Sequence, residues 1–209
     1  MDIELEVKNL TSKDEKAALK SAQILLDSGN IEMFNALLKK SEFLFDFIKQ
    51  NVNKRLSKAL TQKNYKNLFN FLNNYSPDYE EFIASSFAKY ADEDLTDEIL
   101  DLLENGSDNQ KTYAAKYFFY IPDTIAAEFL SEYAFSDNES LAFNSAQALG
   151  KMEDKESYEK ALSMLKETDD FKKLTAVKFL VAYGNKNAVL PVLESIQTSS
   201  MPENIAGEI

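Results

Sequence analysis

The chain has no cysteine, no histidine and no tryptophan, and Arg55 is its only arginine. Without cysteine, disulfides, thiolate nucleophiles and thiolate-held metals are excluded. Without histidine, the side chain that most often moves protons near neutral pH is missing, so Ser-His-Asp and Cys-His catalysis cannot be assembled. One arginine leaves almost nothing for base readout or bidentate phosphate recognition. A net charge of −12 with a pI of about 4.6 repels a nucleic-acid backbone over the whole molecule. Five glycines and four prolines are few breakers for 209 residues, which fits a largely helical chain. No apolar run approaches ~18 residues, so no membrane span is expected. The opening MDIELEVKNL is acidic and lacks a basic, apolar signal pattern, and with Met1 as the natural start the expectation is a cytoplasmic protein. Neither an enzyme nor a cofactor is expected from this composition.

What the chain does have is repetition, the pattern to seek before any local reading. A small residue is followed by a large apolar one three on, an apolar one six on, and an aspartate or glycine eight on. The pattern reads Ala84, Phe87, Tyr90, Asp92; Ala115, Phe118, Ile121, Asp123; Ala146, Leu149, Met152, Asp154; and Ala176, Phe179, Ala182, Gly184. The interval between successive alanines holds to within one position, at about 30 residues, a length typical of helical repeat units. Positions three and six apart share a helix face. The alanine therefore lets a neighbouring backbone approach, while the bulky residue fills the space beside it. The aspartate ends one helix and caps the next. Apolar pairs upstream, Phe69 with Leu72, Leu100 with Leu103, and Leu162 with Leu165, mark a first helix, so each repeat is a helix pair.

Residues 146–154, AQALGKMED, and the following KESYEKALSMLKETDD resemble the short HEAT-like repeats of the type also found in phycobilisome lyases. The resemblance covers 65–209 and is strongest over 139–184. It departs from strict repetition at Gly150, which Leu180 and Phe119 match in the neighbouring repeats, and its period is shorter than the ~40 to 47 residues of long HEAT units. It implies an all-α fold, an α-solenoid in which antiparallel helix pairs form a right-handed superhelix. It does not imply an activity, because such repeats serve unrelated roles. A chromophore lyase or chaperone is the alternative reading that the resemblance suggests, and a DNA-binding HEAT-like protein a weaker one.

Along the chain, Ile3, Leu5 and Val7 alternate and predict an extended arm. Ser12 with Glu15 reads as a capping box, Gly29 closes the helix that follows, and Asn30 opens the next. Residues 1–30 are assigned as an arm and capping helix, and 31–209 as the array, with 1–209 as one continuous solenoid the other possibility. From Ser41 to Leu60, Phe43, Phe47, Val52, Leu56 and Ala59 predict one long or broken amphipathic helix. Asn64–Asn74 predicts a helix, Ser76-Pro77 starts another, and Thr96 caps a third. Ser199 or Ser200 would cap a final helix, in which Ala206 and Ile209 continue the register. This predicts truncation at the C-terminus.

Paired carboxylates at 92–94, 153–154 and 169–170 fall at helix junctions, where capping accounts for them better than acid–base chemistry. The cluster Tyr113, Tyr117, Phe119 and Tyr120 is denser than one helix face can bury. Three columns of second-helix positions line the side that is concave in the family: Lys89, Tyr120, Lys151, Val181; Ser85, Lys116, Gln147, Val177; and Ser86, Tyr117, Ala148, Lys178. They hold four lysines, two tyrosines and no acid. The candidate partner-binding residues are Lys89, Lys116, Tyr117, Tyr120, Gln147, Lys151 and Lys178, a set suited to an acidic or aromatic-rich peptide. A solvated face with lysine stems shielding the helices is the plainer alternative. The expected function is a non-catalytic protein–protein interaction scaffold, with a protein or peptide partner and no nucleic acid.

Overall fold

A computed structural model describes residues 1–134, 136–200 and 202–207. Among them every regular element is helical and there is no strand. None of these helices is long and apolar enough to cross a membrane. Two compact units divide the chain, Met1–Thr96 and Asp97–Ile209.

The first unit opens with α1 (Ile3–Leu10), α2 (Glu15–Ser28), α3 (Ile31–Ser41) and α4 (Asp46–Ala59). The extended arm expected at the start is instead helical. Its buried residues, Val7 and Leu10, follow the helical spacing from Ile3, while Leu5 is exposed. Asp2 accepts from the Leu5 amide at 3.1 Å to begin the helix. The cap of α2 is Asp14, not Ser12. Its carboxylate accepts from Lys16 and Ala17 at 3.1 Å, and Ser12 accepts from the Asp14 amide. Glu15 is thereby freed for Arg55, which is buried on α4. The guanidinium holds Glu15 at 2.9 Å and donates to the Leu10 carbonyl at the end of α1, also at 2.9 Å.

Asn64–Asn74 is not an α-helix; Tyr65–Phe71 is a 3-10 segment. Asn64, Asn67 and Asn70, spaced by three as the 3-10 turn requires, reach the end of α2. They donate respectively to the Asp27 carboxylate at 2.8 Å, the Leu26 carbonyl at 2.8 Å and the Gly29 carbonyl at 3.3 Å. These amides satisfy chain-end acceptors that a helix cannot satisfy for itself. Gly29 is left-handed (φ 57°), as a helix C-terminus of this kind requires. Phe34 stacks on Phe71 at 4.2 Å and meets Tyr79 edge-on, forming the unit's aromatic core. Next come α5 (Pro77–Lys89) and α6 (Glu93–Asn105), which runs across the division between the units. Thr96 lies inside α6. Its cap is Asp92, which accepts from Leu95 at 2.8 Å.

The second unit continues with α7 (Asp108–Tyr120), α8 (Ala127–Tyr133), α9 (Glu139–Lys151), α10 (Lys155–Met164), α11 (Asp170–Tyr183), α12 (Val189–Thr198) and α13 (Pro202–Ala206). Short 3-10 turns lead into α8 and α12. Helix α9 packs between α7 and α11. Its buried residues include the small Ala142, Ser145, Ala146 and Ala148 beside Leu141, Asn144 and Leu149. At Gly150 an added Cβ would lie 2.5 Å from the Phe179 carbonyl and 2.8 Å from Ala182 Cβ, so α11 passes against bare backbone there. Ala84, Ala115, Ala146 and Ala176 are all buried within helices, as the repeat predicts.

The repeat is visible in the helix starts. Pro77, Asp108, Glu139 and Asp170 begin α5, α7, α9 and α11, and the interval from each to the next is identical. Glu93, Thr124, Lys155 and Lys186 begin the elements between them at that same interval. Ser199 and Ser200 both donate to Asp170, Ser199 at 2.7 Å. This holds the segment after α12 to the start of α11. Ile209, where the register was expected to continue, lies outside the described residues.

Candidate functional site

The candidate residues fall on α5, α7, α9 and α11. Each of these helices begins after a polar residue. Ser107 forms a reciprocal cap with Gln110, Asn138 accepts from Leu141 at 3.2 Å, and Asp169 accepts from Phe171 at 2.9 Å. With the starts fixed, the helical period determines which side chains reach solvent.

Three of the candidates converge on one aromatic ring. Lys116 on α7 and Lys151 on α9 place their ammonium groups 4.9 and 5.3 Å from the centre of Phe119, and Tyr120 meets the same ring edge-on at 5.2 Å. One helix further, Lys178 on α11 lies 4.9 Å from the centre of Phe143, which packs against Phe171 at 5.3 Å. The interactions are cation–π contacts of ~0.5–1 kcal/mol each at such exposure. Each contact offsets part of the rotamer entropy that ordering a lysine side chain costs. Gln147, half-buried, lies on α9 one turn from Phe143 and one turn from Lys151. The resulting strip crosses α7, α9 and α11 and alternates aromatic rings with ammonium groups.

The other candidates lie elsewhere. Tyr117 is fully buried, packed edge-on against Phe118 at 5.3 Å, and so belongs to the core rather than to the surface. Its column neighbours Ser86 and Ala148 are buried too, and Val177 is buried in the second column. Lys89 is exposed but belongs to the first unit, beside Tyr90. Val181 opens onto a separate apolar groove with Val189 and Leu193 at the α11–α12 end. The dense aromatic cluster resolves as its crowding required, with Tyr113 and Tyr117 inside and Phe119 and Tyr120 half-exposed.

Sequence reasoning missed Phe119, Phe143 and Phe171 as members of this surface. A signal for one was present, since Phe143, Gln147 and Lys151 follow one another at four-residue steps along a single helix row. The alanine register directed attention to the core-facing rows instead.

In the second unit α10 mixes Lys155 and Lys160 with Glu156 and Glu159, but its neighbours are more one-sided. α7, α9 and α11 each carry one acid, at the first residue (Asp108, Glu139, Asp170), where it suits the positive helix start. Beyond it they bear only lysines. By contrast, α8 carries Glu128 and Glu132 and α12 carries Glu194, with no lysine on either. The carboxylate pairs are occupied in structure: Asp92, Asp154 and Asp169 each accept helix-start amides. Among the described residues no three acids or other ligating side chains converge as a metal site would need. No protein-family model matches this chain, and no curated protein matches it in sequence.

Proposed function

We propose that this chain is a non-catalytic protein-binding scaffold of HEAT-like repeats, an α-solenoid that captures an acidic, aromatic-containing peptide on its α7–α9–α11 strip. The repeat geometry supports the architectural part: helix starts recur at a constant interval, and α9 lies between α7 and α11 with a small-residue interface. The observation that carries the binding reading is the strip itself. In a chain of net charge −12, Lys116, Lys151 and Lys178 are grouped around Phe119 and Phe143 on helices that bear no acid past their first residue. Aromatic rings supply contact area at low entropic cost, and the ammonium groups steer and orient an anionic partner.

The test is an array of synthetic peptides in which acidic and aromatic content vary independently, probed with the wild type and with a Tyr120→Ala/Lys151→Glu variant. Peptides rich in both should bind, basic ones should not, and the double variant should lose about tenfold or more in affinity with little change in melting temperature. Equal binding by the variant would remove the strip as the surface.

A further inference from the structure

From the end of α3 into the first turn of α4 the chain presents Glu42, Phe43, Leu44, Phe45, Asp46 and Phe47, and the three phenylalanines are 82%, 75% and 59% exposed. The reading of Phe43 and Phe47 as part of the apolar face of one long or broken helix over Ser41–Leu60 is thereby corrected. Only Val52, Leu56 and Ala59 of that pattern are buried. Phe45 and Phe47 stack on one another at 6.2 Å, nearly parallel. Asp46 is 92% exposed: Lys49, its nearest cation, lies 3.9 Å away and is held more closely by Asp78 at 3.0 Å. Lys39 and Lys40 close α3, where they complement its negative end.

The position of Phe45 makes this exposure more than a loop accident. α4 starts at Asp46, one further repeat interval before Pro77, so it belongs to the same series as α5, α7, α9 and α11. In the four later helices the residue before the start is Ser76, Ser107, Asn138 or Asp169, all of a type able to cap, and the last three do so through their side chains. In α4 it is Phe45, which cannot cap and makes no capping hydrogen bond. The chain forgoes a local stabilising device to place an aromatic ring in water, a departure expected at sites kept for binding.

The chemistry of this segment complements that of the strip. The segment interleaves phenylalanines with carboxylates, and the strip interleaves aromatic rings with ammonium groups. We propose that residues 42–47 of one copy dock on the α7–α9–α11 strip of a second copy, head to tail. The inference rests on the peptide-binding reading of the strip and names its occupant. The two surfaces differ, so the contact is heterologous and each docked pair leaves one free segment and one free strip. A contact this small makes the association weak and concentration-dependent.

Sedimentation velocity of the full chain over a concentration series tests it. The wild type should show a sedimentation coefficient that rises with concentration. A segment variant, Phe45→Asp/Phe47→Ser, and a strip variant, Lys116→Glu/Lys151→Glu, should each stay monomeric, with association weakened about tenfold or more. An equimolar mixture of the two should form a one-to-one complex and nothing larger, because it contains one intact segment and one intact strip. Phe45→Asp also supplies the missing cap, so the segment variant should melt no lower than the wild type, separating lost docking from lost folding. A monomeric wild type, continued self-association of either variant, or a mixture that stays monomeric would each overturn the proposal. If the wild type is monomeric yet its strip binds the synthetic acidic–aromatic peptides, self-docking fails and the peptide-binding reading stands. Failure of the strip to bind any of them removes both.

Discussion

At Gly150 α9 and α11 approach closely, because any side chain there would meet the Phe179 carbonyl and the Tyr183 amide of α11. Alanine is the better helix former by ~1 kcal/mol, but backbone cannot yield as a flexible side chain can. Gly150→Ala should therefore cost a net of about 1–3 kcal/mol, measurable by urea unfolding; a gain in stability would contradict the close approach. Asp170 offers a test in pH. The hydroxyls of Ser200 and then Ser199 hold its carboxyl below the usual aspartate range. The folded state thus binds this proton less readily than the unfolded chain, and the stabilisation is complete above the ordinary value of about 4. It is lost as pH falls through the depressed one. Asp170→Asn should flatten the fall in stability below about pH 4, and an unchanged acid-unfolding curve would remove Asp170 as a contributor. At this scale the sequence was legible where a residue has one job: Asn30, Gly29, Asp154 and the four register alanines all stand where their chemistry implies. Tyr117 and Phe119 could not be sorted, because adjacent aromatics in a crowded run differ only in the direction the helix turns them.

Helix α9 ends in an unusual way. Glu153 adopts a left-handed conformation (φ 56°), with the Asp154 amide returning to the Leu149 carbonyl at 3.3 Å. The corresponding end of α11 has Gly184 (φ 73°) in that role. A side chain in this region is strained where glycine is not, so Glu153→Gly should stabilise the protein by about 0.5–1 kcal/mol. A lower melting temperature would count against this account. The comparison also bears on the repeat step, which is one position shorter at Ala176 than at the earlier alanines. α11 starts in register, so Ala176 stands one position earlier in its helix than Ala146 does, while the following cap, Asn185, keeps the constant interval from Asp154. Elements with regular apolar spacing and strong caps were readable from the sequence. Those that were not have identifiable competitors. The alternation of Ile3, Leu5 and Val7 competed with the spacing of Ile3, Val7 and Leu10, and burial against α2 and α3 favoured the second. The Asn64–Asn70 stretch tightened into 3-10 geometry because its amides have tertiary acceptors on α2.

At the scale of the molecule, the lysines of α7, α9 and α11 gather past the first residue of each helix, and a net value of −12 for the whole chain conceals them. The proposed peptide interaction should therefore be sensitive to ionic strength even though the protein is acidic. Raising sodium chloride from about 50 to about 500 mM should weaken binding of an acidic–aromatic peptide roughly tenfold, as isothermal titration would show; indifference to salt would mean that the lysines are only solvated. The division at Thr96 was not legible, since α6 runs through it without glycine or proline, and Lys89 was grouped with residues of another unit for that reason. The constant interval between helix starts has one more consequence. Excising residues 108–138 would join Ser107 to Glu139, a capping serine to the first turn it is suited to cap, with α7 and α8 removed together. A chain built this way can gain or lose length in whole modules without rewriting a junction.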